Sequence, residues 1–312
     1  MKTITLCLVS VVFLSLGACG DDPKPAPTPY RDAAPTGWRA VVGSDGTFVH
    51  TFDEKDWTVR ALGNVDLYGV SCVGNDVGWA VGAHGVIAHT EDGGRTWSWQ
   101  TSGTTSTLRS VAFADLVHGI AVGDGGVVVS TDDGGLHWAP GSVAAKVTLA
   151  SAWTASGVFY AGGAGGTLVH GAQGSLGVST IDGAADIGAV TARGARVVVG
   201  DAAGGIFESF DSGAHFTRSG TAPKGVHALA ITEAGAIVAA GDGGSVMLSY
   251  QFGMWSSVPN ALGTANLHSA VPTKTGVFLA GDQGTLLVLD KDVLRSIPLD
   301  TKANLWAVES FE

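Results

Sequence analysis

The chain has 312 residues, with 47 glycines, 10 prolines, 45% hydrophobic and 14% charged residues, and a formal charge of −11. It is too apolar for a disordered chain and too rich in glycine for a helical one. It is also too acidic for a nucleic-acid binder, which presents basic patches. Many glycines among short Val, Ile, Leu and Ala runs predict an all-β chain with many turns.

The first element is a processing segment. "MKTITLCLVSVVFLSLGAC" places Lys2 ahead of an apolar stretch that ends in small residues before Cys19. That stretch is too short to cross a bilayer of about 30 Å, so residues 1–18 are expected to be a cleaved signal peptide. "LGAC", residues 16–19, resembles the lipobox of bacterial lipoproteins. The resemblance implies cleavage before Cys19 and lipidation of its sulfur, a stable membrane anchor once two or three acyl chains are attached. Gly20 follows Cys19, and the same resemblance points to the outer membrane. An ordinary signal peptide that leaves Cys19 free is the plainer alternative. Residues 19–36 hold Pro23, Pro25, Pro27, Pro29 and Pro35 and read as an extended, semi-rigid tether. If Cys19 is acylated, Cys72 has no partner and no disulfide framework is expected.

Residues 37–312 repeat. "AVVGSDG", "AVGAHG", "AVGDGG", "YAGGAGG", "VVGDAAGG", "AAGDGG" and "LAGDQG" align on Gly43, Gly82, Gly123, Gly162, Gly200, Gly241 and Gly281, separated by 39, 41, 39, 38, 41 and 40 residues. Upstream of six of these lies a short apolar run led by Leu67, Leu108, Leu149, Ile187, Val226 or Leu267. The first unit lacks this run, and the missing copy is "NLWAVES" at residues 304–310, led by Leu305. Units near 40 residues with several turns and no room for a helix predict four-stranded sheets packed radially. The displaced copy predicts closure of a seven-bladed β-propeller, its C-terminal strand joining the first blade. An open β-solenoid is the alternative.

Between the expected third and fourth strands, "TEDGGRTW" carries Thr90, Asp92, Gly94 and Trp97. The spacing recurs as Thr131, Asp133, Gly135, Trp138 and as Ser209, Asp211, Gly213, Phe216. Decayed versions hold Thr51, Asp53, Trp57 and Ser249, Gln251, Gly253, Trp255. The pattern resembles the Asp-box, or BNR repeat, of sialidases, sortilin-type propellers and the photosystem II stability and assembly factor family. The resemblance implies the propeller fold, not a reaction. Mechanically, the Asp closes the loop through backbone N–H groups and the aromatic ring fills the gap between blades.

No HExxH, GxSxG or Cys-rich motif is present, and no paired-carboxylate or arginine-cluster arrangement can be aligned to the repeat. Neither a metal nor a cofactor is expected. Two sets of equivalent positions stand out. The residue after each lead residue varies in chemistry: Tyr68, Arg109, Ala150, Gly188, His227, His268, Trp306. Its successor is always small, from Gly69 to Ala307, as tightly packed inner strands require. Tyr68, Arg109, His227, His268 and Trp306 are therefore candidate binding residues at one channel mouth, with ordinary inter-blade packing as the alternative. The turn after the aligned glycine supplies Asp45, His84, Asp124, Asp201, Asp242 and Asp282, a second ring that turn chemistry alone also explains. The expected protein is a monomeric, non-catalytic envelope lipoprotein acting as a binding or assembly scaffold through one face. It is expected to bind an envelope protein or glycan and no nucleic acid. A glycan-active enzyme, a sialidase or polysaccharide lyase relative, is the other reading.

Overall fold

A computed structural model describes residues 39–141, 143, 145–274 and 276–310. The expected signal peptide, lipidated Cys19 and proline-rich tether lie outside these residues. The described residues form seven four-stranded antiparallel sheets. Blade 2 shows the plan: Leu67–Val73 innermost, then Val77–Gly82, Val86–Thr90 and the outer Ser98–Thr101. Each blade alternates apolar residues toward its neighbours. Alternation buries both faces of the middle strands, as in Gly119–Gly123 and Ile237–Gly241, buried at every residue.

Closure follows the prediction. Leu305–Ser310 pairs antiparallel with Arg39–Gly43 and forms the innermost strand of blade 1. Every inner strand contacts the next around the ring, and Leu305–Ser310 contacts both Leu267–Pro272 and Leu67–Val73. Leu305 is fully buried and Val308 is 4% exposed. They join a cluster that spans blades 7 and 1 and includes Val41, Val49 and Phe278.

The blades meet closely at the small position of the inner strand. A Cβ on Gly69 would lie 2.8 Å from the Ser110 Cα of the next blade, closer than carbon atoms approach. Where the position carries Ser, the hydroxyl accepts a hydrogen bond across the gap: Ala152 N–H to Ser110 Oγ, Val190 N–H to Ser151 Oγ and Val308 N–H to Ser269 Oγ, at 3.0–3.1 Å. Size and hydrogen bonding together hold this position small.

The repeat register differs from the sequence alignment in two blades. Leu67 faces Gly82, Leu108 faces Gly123 and Leu149 faces Gly163, not Gly162. In blade 5, Ile187 faces Asp201, so an aspartate takes the place of the glycine. The true repeat positions are Gly43, Gly82, Gly123, Gly163, Asp201, Gly241 and Gly281. The reason for glycine is contact: a Cβ on Gly123 would collide with the Thr107 carbonyl oxygen. Asp201 instead builds a different turn, accepting the N–H groups of Ala203 and Gly205 on one carboxylate oxygen and that of Ala185 on the other.

One buried titrating group sets an acid limit on the fold. His50, 9% exposed, stacks on Phe48 at 5.1 Å and meets Phe52 edge-on at 5.3 Å. Burial first, then the Arg60 and Arg95 charges, lower its pKa to about 4. The unfolded chain therefore binds a proton that the folded chain refuses between pH 6.5 and about 4, and stability falls as pH falls through that window. The loss should approach about 2–3 kcal/mol by the lower end. In His50→Phe, urea unfolding between pH 7 and 4 should show a pH slope shallower by that amount; an unchanged slope would place the sensitivity elsewhere.

Candidate functional site

The first candidate ring is defined by backbone geometry. In all seven blades the ladder between the inner strand and its neighbour shifts register at one place: between Leu67 and Gly69, Leu108 and Ser110, Leu149 and Ser151, Ile187 and Ala189, Val226 and Ala228, Leu267 and Ser269, and opposite Gly43 between Leu305 and Ala307. The skipped residue is Tyr68, Arg109, Ala150, Gly188, His227, His268 or Trp306. A β-bulge leaves its extra residue unpaired and re-aims that side chain, here toward the axis. All seven line one central cavity of about 260 Å³.

The side chains form an unbroken arc over four blades. The Arg109 guanidinium lies 5.8 Å over the Tyr68 ring, Tyr68 lies 5.9 Å from Trp306, and Trp306 lies 4.5 Å from His268. His227 on the next blade leans over Gly188, where a Cβ would sit 2.9 Å from its Nδ1. At blades 4 and 5, Ala150 and Gly188 leave the arc open. The Trp306 Nε1 is buried and, among the described residues, makes no hydrogen bond.

The second ring divides into two. Asp45 and His84 occupy the second turn position, at φ 53° and 58°, and the Asp45 N–H donates to Asp66 Oδ1 at 2.9 Å. Asp124, Asp242 and Asp282 occupy the first turn position, and each meets the bulge residue of its own blade. Arg109 Nε donates to Asp124 Oδ1, His227 Nε2 lies 3.1 Å from Asp242 Oδ1, and His268 Nε2 lies 2.7 Å from Asp282 Oδ1. The sequence spacings of 15, 15 and 14 residues carried this pairing, but the two rings read as separate features. Asp66, which the sequence reading passed over, accepts the Tyr68 hydroxyl at 3.2 Å. Burial first, then the Asp66 charge, raise the Tyr68 pKa, so its proton stays on. Deeper in the channel, burial and then Glu309 push the Cys72 thiol well up, which keeps it protonated and unreactive.

The loops carrying the second recurrent motif lie at the far ends of the third strands. Thr90 Oγ1 donates to Asp92 Oδ1 at 2.9 Å and accepts the Gly94 N–H at 2.8 Å. Thr131 and Ser209 make the same pair of bonds with Asp133 and Gly135 and with Asp211 and Gly213. The His137 N–H, then its ring, hold the Asp133 carboxyl down to about 2, and the His215 ring and N–H depress Asp211 further. Each aromatic ring sits against the preceding blade. Trp97 meets Phe48 edge-on at 5.3 Å, Trp138 donates to Gln100 at 3.0 Å, and Phe216 packs with Tyr160 and Leu168. The decayed copies do the same: Trp57 meets Phe278 of blade 7 and Trp255 donates to the Ser219 carbonyl of blade 5. Every hydrogen-bonding group of these carboxylates faces the loop itself. Among the described residues no group of three His, Cys, Asp or Glu is placed to hold a metal ion.

No family model and no curated protein sequence matches this chain. Solved structures do. YCF48 bound to a D1 peptide superposes with a TM-score of 0.66 at 19% identity, over 83% of this chain and 88% of that one. YCF48 from Cyanidioschyzon merolae gives 0.63 at 15%, over 86% and 90%. The WD40 β-propeller domain of Doa1 gives 0.63 at 16%, over 78% and 86%. At such identities the likeness is one of architecture: the chain is a seven-bladed β-propeller similar in fold to YCF48 and to a WD40 domain.

Proposed function

We propose that this protein is a non-catalytic binding or assembly scaffold that captures a segment of a partner protein at the mouth of its central channel. The observation that carries the reading is the bulge repeated in every inner strand. It aims one residue per blade at a single cavity and leaves that residue free to vary while the small position beside it stays fixed. Support comes from the fold likeness to YCF48, whose solved structure holds a D1 peptide. The loop hydrogen bonds support the Asp-box resemblance, with Asp92, Asp133 and Asp211 as loop closures. We further propose that lipidated Cys19 and residues 19–36 tether the monomeric propeller to the bacterial outer membrane. Cys19→Ala should then lose incorporation of a labelled fatty acid and leave the membrane fraction.

Arg109→Ala and Trp306→Ala should each weaken capture of the envelope partner by about 10- to 30-fold in quantitative pull-downs while unfolding at the wild-type temperature. Wild-type capture by both would remove the mouth from the binding surface. One observation favours the second reading, a glycan-active enzyme: ionisable groups from three blades, Arg109, His227 and His268, line one cavity. Absence of turnover on a panel of glycosides and polysaccharides by folded protein would retire it.

A further inference from the structure

We infer that the channel mouth selects a cation, the side chain of a lysine or arginine presented by the partner protein. This inference rests on the capture of a protein segment at the mouth. Three properties of the arc decide its preference. First, the charges do not cancel. Asp66, Asp124, Asp242 and Asp282 outnumber the fixed cations beside them, Arg109 against Asp124 and Lys224 over Gly243, and with histidines counted as neutral the mouth is negative, as is the whole chain at −11. A cavity walled by low-dielectric blades concentrates that field and draws in positive groups.

Second, the carboxylates are only half used. Asp242 and Asp282 each engage an imidazole through Oδ1, and among the described residues neither Oδ2 takes a protein donor. Their side chains are 44% and 22% exposed, on adjacent blades, beside the two histidines that line the cavity. An ammonium with its three donors, or a guanidinium with its five, would complete them.

Third, the mouth contains aromatic faces beside the carboxylates. Trp306 stands between Tyr68, bonded to Asp66, and His268, bonded to Asp282. Cations are held over such rings by the ring quadrupole, most strongly over Trp. Arg109 already shows the arrangement within the molecule, its guanidinium over Tyr68 and against Asp124. The gap at Ala150 and Gly188 leaves room for an incoming chain to reach the opposite wall. A carboxylate or phosphate would meet repulsion from four aspartates.

The test titrates the full chain with glycine–serine peptides that each carry one central Lys, Arg, Glu or Met. The readout is the Trp306 indole N–H resonance, identified by its loss in Trp306→Phe. Lys and Arg peptides should shift it saturably. Asp282→Asn, with Asp242→Asn as the second variant, should weaken that response at least about fivefold. Equal response to the Glu or Met peptide, or no response to any peptide up to about 10 mM, overturns the cationic preference. A shift produced by a neutral oligosaccharide and not by basic peptides would assign the mouth to a glycan instead. The two readings separate cleanly. If Trp306→Ala loses the envelope partner while basic peptides leave the indole unmoved, mouth capture stands and cation selection falls. If Trp306→Ala and Arg109→Ala both capture normally, mouth capture itself falls.

Discussion

Deleting residues 305–312 is expected to abolish the cooperative fold rather than merely weaken it. The strand Leu305–Ser310 is the innermost element of a blade whose other three strands lie at the opposite end of the chain. Its removal exposes the buried apolar faces of blades 7 and 1 at once. Leu305 and Val308 alone represent about 3–5 kcal/mol of transfer free energy, and Val41, Val49 and Phe278 lose their cover with them. A domain has about 5–15 kcal/mol in total, and the open ring also leaves the Arg39–Gly43 backbone unpaired on one side. The truncated chain should show no sigmoidal urea transition and should be degraded rapidly by a nonspecific protease. A synthetic peptide of residues 303–312 added in trans should restore protection. A truncated chain that melts cooperatively near the wild-type temperature would mean that the six remaining complete blades hold without closure.

The second large effect is expected at a buried ion pair in blade 5. Glu208 is 1% exposed, and one of its oxygens accepts from Arg196 Nε at 2.9 Å and Nη2 at 2.6 Å. The other oxygen is buried and has no partner among the described residues. Arg196 also donates from Nη1 to the Gly235 carbonyl of blade 6 at 2.8 Å, so one side chain neutralises a buried charge and bridges two blades. Arg196→Met should cost about 3–5 kcal/mol, because it strands a carboxylate in an apolar interior. For a chain of this size that is a melting-temperature loss of roughly 10 °C. The double variant Arg196→Met with Glu208→Leu should recover most of the loss, since removing both charges removes the desolvation penalty. A double variant no better than the single one would show that the Gly235 bridge, not the charge, carries the stability. This effect is independent of the channel mouth, so capture by the folded fraction should be unchanged.

Much of the architecture was legible because a propeller is written once per blade. Spacing of apolar runs, glycines and turn residues at a period near 40 gave the blade count, and the displaced "NLWAVES" gave the closure. Register within a repeat was harder to read. In "YAGGAGG" two adjacent glycines satisfy the pattern equally, and only strand pairing shows that Gly163 faces Leu149 while Gly162 packs under Ile187. In "VVGDAAGG" the glycine is not at the repeat position at all, because Asp201 caps its own turn with side-chain oxygens.

The candidate site shows the same division. Position in the repeat was enough to select Tyr68, Arg109, His227, His268 and Trp306, since equivalent positions in a closed ring must share one radius and one height. The bulge that turns them inward leaves no mark in the sequence, because any residue can occupy it. Asp66 escaped notice for a related reason: it lies in the loop ahead of the inner strand, and only the fold brings the Asp45 N–H to one of its oxygens and the Tyr68 hydroxyl to the other.

By itself the sequence determined that this chain is all-β, seven-fold and closed by its own C-terminal strand. These properties follow from periodic burial, which each repeat must satisfy locally with its neighbours. Only the tertiary structure decided which carboxylate meets which bulge residue and that Asp201 caps its own turn instead. Those contacts depend on where a backbone kink aims a side chain, a difference of a few ångströms to which residue order is indifferent.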